Sequence, residues 1–99
     1  MGKEHLYFTY LLASGHYGTL YVGMTNDLAR RVQEHKEGKG GSFTRRYGIN
    51  QLVWFEQHGD VEVAIGREKA IKKWRRQWKI RLIERGNPHW ADLSGEIGP

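Results

Sequence analysis

The sequence predicts a small α/β protein of the α+β type, in which helices flank a three-stranded, mostly antiparallel sheet in the order β-β-α-β-α-α. Short runs rich in aromatic and branched side chains alternate with segments of helical period. The first two runs are separated only by a turn cluster, so they should pair as an antiparallel hairpin. The length of 99 residues predicts one domain, 1–99, with its core at about 6–93.

The first two strands are predicted at residues 6–13 and 19–23, where apolar and aromatic side chains occur without a helical period. A cluster of turn-forming residues at 14–18 joins them. If this turn is centred between its second and third residues, Tyr10 lies directly opposite Tyr21. Aromatic cross-strand pairs are common structural contacts, so this pair alone does not indicate a functional site.

The first helix is predicted to begin after residues 25–27, which offer three N-caps, and to end near Gly38. At about 100° per residue, Arg31 and His35 share the stripe of Leu28, which should face the sheet. A guanidinium on an inward stripe needs a partner or a ligand. A salt bridge or a side chain that reaches solvent is the alternative for Arg31, and a hydrogen-bonded structural histidine is the alternative for His35.

Beyond the first helix, the sequence predicts a mobile glycine-containing loop at residues 36–42 and a third strand at 51–57. A long helical region is predicted at about 61–85, because apolar residues recur there at spacings of three and four. These residues are Ile71, Trp74, Trp78 and Leu82.

This helical region can also form two helices, with Gly66 and the 74–78 segment as candidate breaks. Trp74 and Trp78 are expected to lie in the core, because large aromatic side chains bury the most area. A surface that binds another protein is the alternative for these two residues. The tail is expected to pack partly through Trp90 and Leu93.

Positive charge is concentrated in the second helical region. The chain has a net charge of +5, and residues 67–85 alone contain nine basic and two acidic residues. Such a segment indicates a polyanionic partner, although a solvated helix face gives the same pattern. Lys72, Arg76 and Lys79, at spacings of four and three, could line a phosphate-binding face. Glu68 is an isolated acid here, either an ion-pair partner of Lys72 or a carboxylate ligand for hydrated Mg²⁺.

Composition excludes several classes of protein and site. The absence of cysteine excludes disulfides and thiolate metal sites. No run approaches the roughly 20 apolar residues of a membrane helix, so no membrane partner is expected. The N-terminus shows neither a signal peptide nor a myristoylation pattern, and a cytoplasmic location is therefore expected.

Five residues form an ordered set along the chain: Tyr10, Tyr21, Arg31, His35 and Glu68. This set, with Tyr21 opening a Tyr-Val-Gly sequence and Arg31 following ten residues later, resembles the GIY-YIG endonuclease family. His35 matches the helix position where the family has Tyr or His, and Glu68 matches the family's acidic metal ligand. The first motif keeps only its tyrosine, Tyr10, and has lost the glycine and the isoleucine.

Residues 41–47 and 87–93 look like the corresponding parts of the uncharacterised stand-alone bacterial members, so the resemblance covers residues 6–93. Met24 departs from the pattern, since several relatives carry a lysine just after the second motif. The missing phosphate contact could come from another basic residue, namely Lys39, Arg45 or Arg46. Asn87 could match a late family asparagine near the site.

The resemblance implies a metal-dependent endonuclease that hydrolyses phosphodiester bonds in DNA, in DNA repair or structure-selective nicking. Glu68 would hold a single Mg²⁺ or Mn²⁺, Arg31 would stabilise developing negative charge, and Tyr10 would orient water or phosphate. Tyr21 would deprotonate the attacking water, with His35 accepting or relaying the proton. Because a tyrosine hydroxyl ordinarily has a pKa of about 10, a neutral His35 is the simpler base, and the sequence leaves both open.

A non-catalytic nucleic-acid binding module is the main alternative function. It would keep the basic helix and use aromatic side chains for stacking. RNA remains open as a substrate beside DNA, and a protein partner could supply specificity. Six residues are predicted to contact nucleic acid: Lys39, Arg45, Arg46, Lys72, Arg76 and Lys79.

Overall fold

A computed structural model describes residues 6–97, and its three-stranded antiparallel sheet with helices on both faces confirms the predicted fold class. The elements are β1 (Tyr7–Ala13), β2 (Leu20–Thr25), α1 (Leu28–Lys36), α2 (Ser42–Arg46), β3 (Gln51–His58), α3 (Val61–Lys73), α4 (Arg76–Gly86) and a 3₁₀ turn (Leu93–Glu96). β1 lies between β2 and β3 and pairs antiparallel with both. Within the described range, no helix has the length and apolar character needed to cross a bilayer. The prediction that the N-terminus has no signal peptide concerns residues 1–5, which lie outside that range.

Side chains of β1 alternate between the two faces of the sheet and divide the core into two clusters. Leu11 and Ala13 face α3 and α4. With them pack Val22, Val53, Ile71, Ile83 and Trp90. Tyr10 and Leu12 face α1. With them pack Leu28, Val32, Ile49 and Leu52. The hairpin and α1 therefore share the face on which Tyr10 lies.

The β1–β2 hairpin differs in register from the prediction. Tyr10 lies opposite Gly23, so the predicted direct pairing of Tyr10 with Tyr21 is wrong. The connection is longer than a two-residue turn, because the Ser14 N–H donates to the Thr19 carbonyl at 3.0 Å and the Ser14 hydroxyl oxygen accepts from the Thr19 N–H at 2.9 Å. A shift of two positions keeps both tyrosines on one face, and their ring centroids are 6.4 Å apart.

Helix α1 begins and ends close to the predicted positions. Asp27 is the N-cap, and its carboxylate accepts a backbone N–H of the first turn at 3.2 Å. The helix ends at Lys36, just before Gly38. Leu28 and His35 are buried, which confirms that the predicted stripe faces the sheet.

The short helix α2 begins at the last residue of the predicted loop and continues through residues for which the sequence predicts no element. Five residues are too few for a helical period to be recognised. Gly41 precedes it with a φ of 134° and Gly48 follows it with a φ of 63°, conformations that glycine adopts without strain. This helix places Thr44 in a buried position beside His35.

The predicted long helical region is two helices, and the break falls at Trp74 and Arg75. Both residues have extended backbones, with ψ of 151° and 149°, whereas α3 continues through Gly66. Because the break changes the helical phase, Trp78 no longer shares the stripe of Ile71. Trp78 is 48% exposed, so its predicted place in the core is wrong, whereas Trp74 packs half-buried against the α3–α4 cluster.

The segment after α4 is tied to β3 through Asn87. The buried Asn87 amide donates to the carbonyls of Val53 at 3.1 Å and Ala91 at 2.9 Å, and its oxygen accepts the Ala91 N–H at 3.0 Å. Trp90 is 3% exposed, which confirms the predicted packing of the tail. Since β3 and β2 are opposite edges of the sheet, Asn87 lies on the far edge from Tyr21 and holds the tail in place.

Candidate active site

Tyr10 lies at the centre of the α1 side of the sheet and is almost fully buried. A Cβ atom at Gly23 would overlap the Tyr10 ring and hydroxyl, so the glycine of the Tyr-Val-Gly sequence allows this packing. Burial raises the pKa of Tyr10 to about 12. Arg31 acts in the opposite direction and lowers this pKa, whereas the charges of Tyr21 and Glu68 raise it by smaller amounts. The Tyr10 hydroxyl therefore keeps its proton at neutral pH and lies near three of the other predicted site residues.

Arg31 is fixed by two contacts. Its guanidinium donates to Glu34 Oε1 at 2.9 Å and to the Gly40 carbonyl at 3.2 Å. The hydrogen bond that Arg31 donates to Glu34 is the main cause of the raised pKa of Arg31, which therefore stays charged. The salt bridge that was the alternative for Arg31 is therefore present, with Glu34 as its partner. The same guanidinium also lies close enough to Tyr10 to lower the pKa of that hydroxyl.

His35 is buried against both tyrosines, with ring centroids 5.6 Å from Tyr21 and 6.3 Å from Tyr10. Its Nδ1 lies 3.2 Å from the Thr44 hydroxyl, and that hydroxyl donates to the Gly41 carbonyl at 3.3 Å. Because a hydroxyl has one proton, Thr44 then accepts from His35, which places the ring proton on Nδ1. Nε2 is buried without a hydrogen-bond partner among the described residues and keeps an available lone pair.

The surroundings of His35 favour its neutral form. Burial, and then the Arg31 charge, lower the pKa of His35, while Glu34 opposes them. The imidazole is therefore neutral at pH 7 and able to accept a proton. Gly40 packs directly on this ring, since a Cβ atom there would overlap the imidazole. Gly40 thus holds the ring in place and also accepts from Arg31.

Glu68 approaches the site from α3. Its carboxylate forms an ion pair with Lys72 Nζ at 3.0 Å, and its side chain is 19% exposed. Helix α3 packs against β1, where the Thr9 hydroxyl donates to the Ala64 carbonyl at 3.1 Å. The ion pair expected as an alternative is therefore present, and the same carboxylate also lies close enough to Tyr10 to affect its pKa.

The candidate site offers a metal the carboxylate of Glu68. Among residues 6–97, no cluster of three or more His, Cys, Asp or Glu side chains could hold a metal. Hydrated Mg²⁺ commonly binds one or two carboxylates together with substrate phosphate oxygens and water. Glu68 therefore fits a Mg²⁺ or Mn²⁺ ion that the substrate helps to hold, whereas a structural zinc site would need four protein ligands.

Three of the predicted nucleic-acid contacts lie around α2, close to the residues that hold His35. Arg45 and Arg46 are exposed on that helix, and the Arg46 guanidinium lies 5.6 Å from the centre of the Tyr47 ring. Lys39 pairs with Glu37 at 3.5 Å, with its side chain 74% exposed. These side chains are accessible for phosphate contacts beside the candidate site.

The other three predicted contacts, on α3 and α4, are occupied by interactions within the chain. Lys72 pairs with Glu68 as described. The Arg76 guanidinium donates to the carbonyls of Tyr17 and Gly18 at 2.7 and 2.8 Å, which ties α4 to the hairpin turn. Lys79 Nζ donates to the Lys72 carbonyl at 3.5 Å, and burial is the main cause of its lowered pKa. To bind phosphate as predicted, these three side chains would have to give up their contacts within the chain.

Three residues that hold the candidate site were not predicted from the sequence: Glu34, Gly40 and Thr44. The spacing of three between Arg31 and Glu34 is a recognisable helical pair and was the available signal. The other two depend on the position of α2, which leaves no periodic signal in five residues.

The sequence matches the family model of the GIY-YIG catalytic domain over residues 6–81, a range that contains all five residues of the ordered set. A UPF0213 protein of Haloquadratum walsbyi is 43% identical over 68 residues, which are 69% of this chain and 76% of the relative. A UPF0213 protein of Clostridium perfringens is 42% identical over 65 residues, 66% of this chain and 70% of the relative. A UPF0213 protein of Yersinia pestis is 36% identical over 81 residues, 82% of this chain and 84% of the relative.

The fold is similar to a solved structure from the same group. The solution NMR structure of a UPF0213 protein of Bacillus halodurans is 26% identical in sequence, with a TM-score of 0.55. The match covers 95% of this chain and 99% of that chain. The family model, the relatives and the fold agree, and this chain belongs to the GIY-YIG nuclease family and to its UPF0213 group, so that its substrate is a nucleic acid.

Proposed function

We propose that this protein is a metal-dependent endonuclease that hydrolyses phosphodiester bonds in DNA. The proposal is supported chiefly by the position of the other four candidate side chains around Tyr10. Arg31, Tyr21 and Glu68 lie near enough to shift the pKa of its hydroxyl, and the His35 ring packs against its ring. Phosphodiester hydrolysis requires an activated water, stabilisation of phosphoryl charge and help for the leaving oxygen, and these side chains can supply each of them in one place.

Charge stabilisation in this proposal comes from Arg31, Tyr10 and Glu68. The Arg31 guanidinium is held in position before substrate binds, so it faces the developing negative charge with little reorganisation. The protonated Tyr10 hydroxyl donates to a phosphate oxygen or to the attacking water. Glu68 would hold the divalent metal, which when bound supplies charge neutralisation on the phosphate and the leaving oxygen. The Glu68 carboxylate must then exchange Lys72 for the metal.

Water activation in this proposal uses Tyr21 and His35 together. His35 Nε2 is buried, whereas the half-buried Tyr21 lies on an edge strand with its ring beside the imidazole. For this step the Tyr21 hydroxyl would turn to hydrogen-bond Nε2, which has no partner among the described residues. Tyr21 would then accept a proton from the attacking water while it passes its own hydroxyl proton to Nε2. His35 becomes an imidazolium whose Nδ1–H is bonded to Thr44. The neutral imidazole is suited to this step because it can accept a proton without first losing one.

A cleavage assay on defined DNA structures tests the proposal. Wild-type protein would be incubated with labelled branched, single-stranded and duplex DNA, and with RNA of the same sequence, in Mg²⁺, Mn²⁺ or EDTA. We expect internal cuts in DNA with either metal and none in EDTA. Binding without cuts under every metal condition would instead indicate a non-catalytic nucleic-acid binding module. A preference for branched DNA would support a role in repair or structure-selective nicking, and a lack of preference would point to a protein partner that supplies specificity.

A further inference from the structure

A second cleft lies between the end of α3 and α4, on the face of the sheet opposite α1. Its volume is about 350 Å³, within the roughly 300–1,000 Å³ typical of ligand pockets. It is lined by Arg67, Trp74, Trp78, Arg81, Leu82 and Arg85. The cleft thus combines two indole rings with three guanidinium groups, and none of these residues belongs to the candidate active site.

The aromatic and cationic side chains of this cleft are interleaved. The Arg67 guanidinium lies 5.3 Å from the centre of the Trp74 ring and 5.8 Å from that of Trp54. Arg75 lies 6.0 Å from the Trp78 ring. Trp74 and Trp78 meet edge to face, with centroids 6.3 Å apart. These contacts hold the indoles in fixed positions while nearly half of Trp78 stays open to solvent.

The charge of the cleft is positive and only partly neutralised. Arg67 forms an ion pair with Glu56 at 2.9 Å. Within residues 6–97, no ion pair involves Arg81 or Arg85, and both side chains are exposed. These two arginines follow Trp78 by three and seven residues and so lie on the same face of α4. An exposed indole beside two unpaired guanidinium groups is complementary to an aromatic base attached to a phosphate.

We propose that this cleft binds an unpaired nucleotide of the DNA substrate, with its base stacked on Trp78 and its phosphate held by Arg81 and Arg85. The role of this cleft in the choice of substrate rests on the proposed function. Stacking on an indole requires a base whose face is exposed, which paired bases inside a duplex do not offer. The preferred substrate class is therefore DNA with a single-stranded segment next to a duplex.

The cleft is close to the candidate active site, on the other side of α3. Arg67 and Glu68 are consecutive, so their side chains leave the helix about 100° apart. Arg67 contacts Trp54 and Trp74, whereas Glu68 lies close enough to Tyr10 to raise its pKa. Because an α-helix is about 10–12 Å across, one single strand can occupy the cleft while a phosphate a few nucleotides away reaches Glu68.

Binding measurements in EDTA test the cleft separately from catalysis. The probes are a fluorescein-labelled single-stranded oligonucleotide and its duplex, with affinity measured by anisotropy. Trp78→Leu keeps an apolar side chain but loses the aromatic face, so it should bind the single strand about tenfold more weakly and the duplex within about twofold of wild type. Trp78→Phe should restore most of the loss. Arg81→Gln should lower the salt slope of single-strand binding by about one, since one phosphate contact is lost.

Arg30→Gln is the matched control for charge, because Arg30 lies outside the cleft on α1 with its side chain 76% exposed. It should leave the preference for the single strand unchanged. Melting temperatures check folding, and if Trp78→Leu is unstable, Arg81→Gln carries the test. Unchanged single-strand affinity in the folded cleft variants, or an equal loss on both probes, overturns the proposal. A wild type that binds neither probe at low salt also overturns it and favours a protein as the occupant.

A parallel cleavage assay separates this inference from the proposed function. If the wild type cuts DNA while Trp78→Leu binds the single strand normally, the cleft inference fails and the endonuclease stands. If single-strand binding depends on Trp78 but no DNA is cut, the endonuclease fails and the cleft remains a nucleotide-binding site.

Discussion

Replacing Glu68 by glutamine is expected to reduce DNA cleavage in Mg²⁺ by about 100-fold or more, while DNA binding stays within about twofold of wild type. Glutamine keeps the size of the side chain but loses the negative charge that a divalent cation needs. Single-turnover cleavage of an end-labelled substrate measures the first quantity, and anisotropy in EDTA measures the second. Full residual activity of Glu68→Gln would remove this residue from the mechanism.

Two control variants distinguish a metal ligand from an ion-pair partner. If Glu68 acts only through its 3.0 Å contact with Lys72, then Lys72→Gln should cause the same loss as Glu68→Gln. A partly exposed pair of this spacing contributes only about 0.3–0.5 kcal/mol to stability, too little for a 100-fold effect. Glu62→Gln makes the same chemical change in the first turn of the same helix and should leave cleavage unaffected.

Replacing His35 by alanine is expected to lower the cleavage rate by roughly 10²- to 10⁴-fold, the usual contribution of a general base. The wild-type rate should also depend on pH in a defined direction. Burial and the Arg31 charge lower the pKa of His35, against the opposing charge of Glu34, with Tyr10 and Tyr21 as its other ionisable neighbours. Because the protonated ring cannot accept a proton, the rate should rise with pH up to this lowered pKa, below the ordinary value of about 6.5, and be level at neutral pH.

The variants of the two candidate bases give different pH–rate profiles. His35→Ala should lose the acidic limb of the profile together with most of the rate. Tyr21→Phe removes the relay hydroxyl, so it should be slow but keep the limb that belongs to His35. If His35→Ala keeps the wild-type profile and Tyr21→Phe abolishes it, Tyr21 is the base and the relay is wrong.

The sequence predicted those parts of the fold that depend on local pattern. The three strands and α1 were located to within a few residues, because apolar runs and a capped amphipathic stripe are encoded within each segment. The hairpin register was not, since it depends on the two hydrogen bonds between Ser14 and Thr19. The place of Trp78 was wrong for a similar reason, because the extended residues before α4 shift the helical phase and no proline or glycine marks them.

The candidate site could be predicted as a set of residues but not as an arrangement. The order and spacing of Tyr21, Arg31 and His35 are visible in the chain, and their resemblance to the GIY-YIG family led to Glu68. Thr44 was missed because its contact with His35 exists only when α2 folds back on α1. The contacts of Arg76 with the hairpin turn could not be foreseen either. Arg76 lies 59 residues along the chain from Tyr17 and 58 residues from Gly18, so no local pattern links them.

We propose that Glu68 and the tyrosine–arginine–histidine group form one site that binds both metal and phosphate. NMR with trace Mn²⁺ and thymidine 5′-monophosphate tests it directly, because the paramagnetic ion broadens only signals of nearby nuclei. We expect selective broadening of Gly23, Tyr21 and His35 signals in the wild type, and its loss in Glu68→Gln. Broadening confined to another part of the chain, or broadening at these residues that persists in Glu68→Gln, would contradict it.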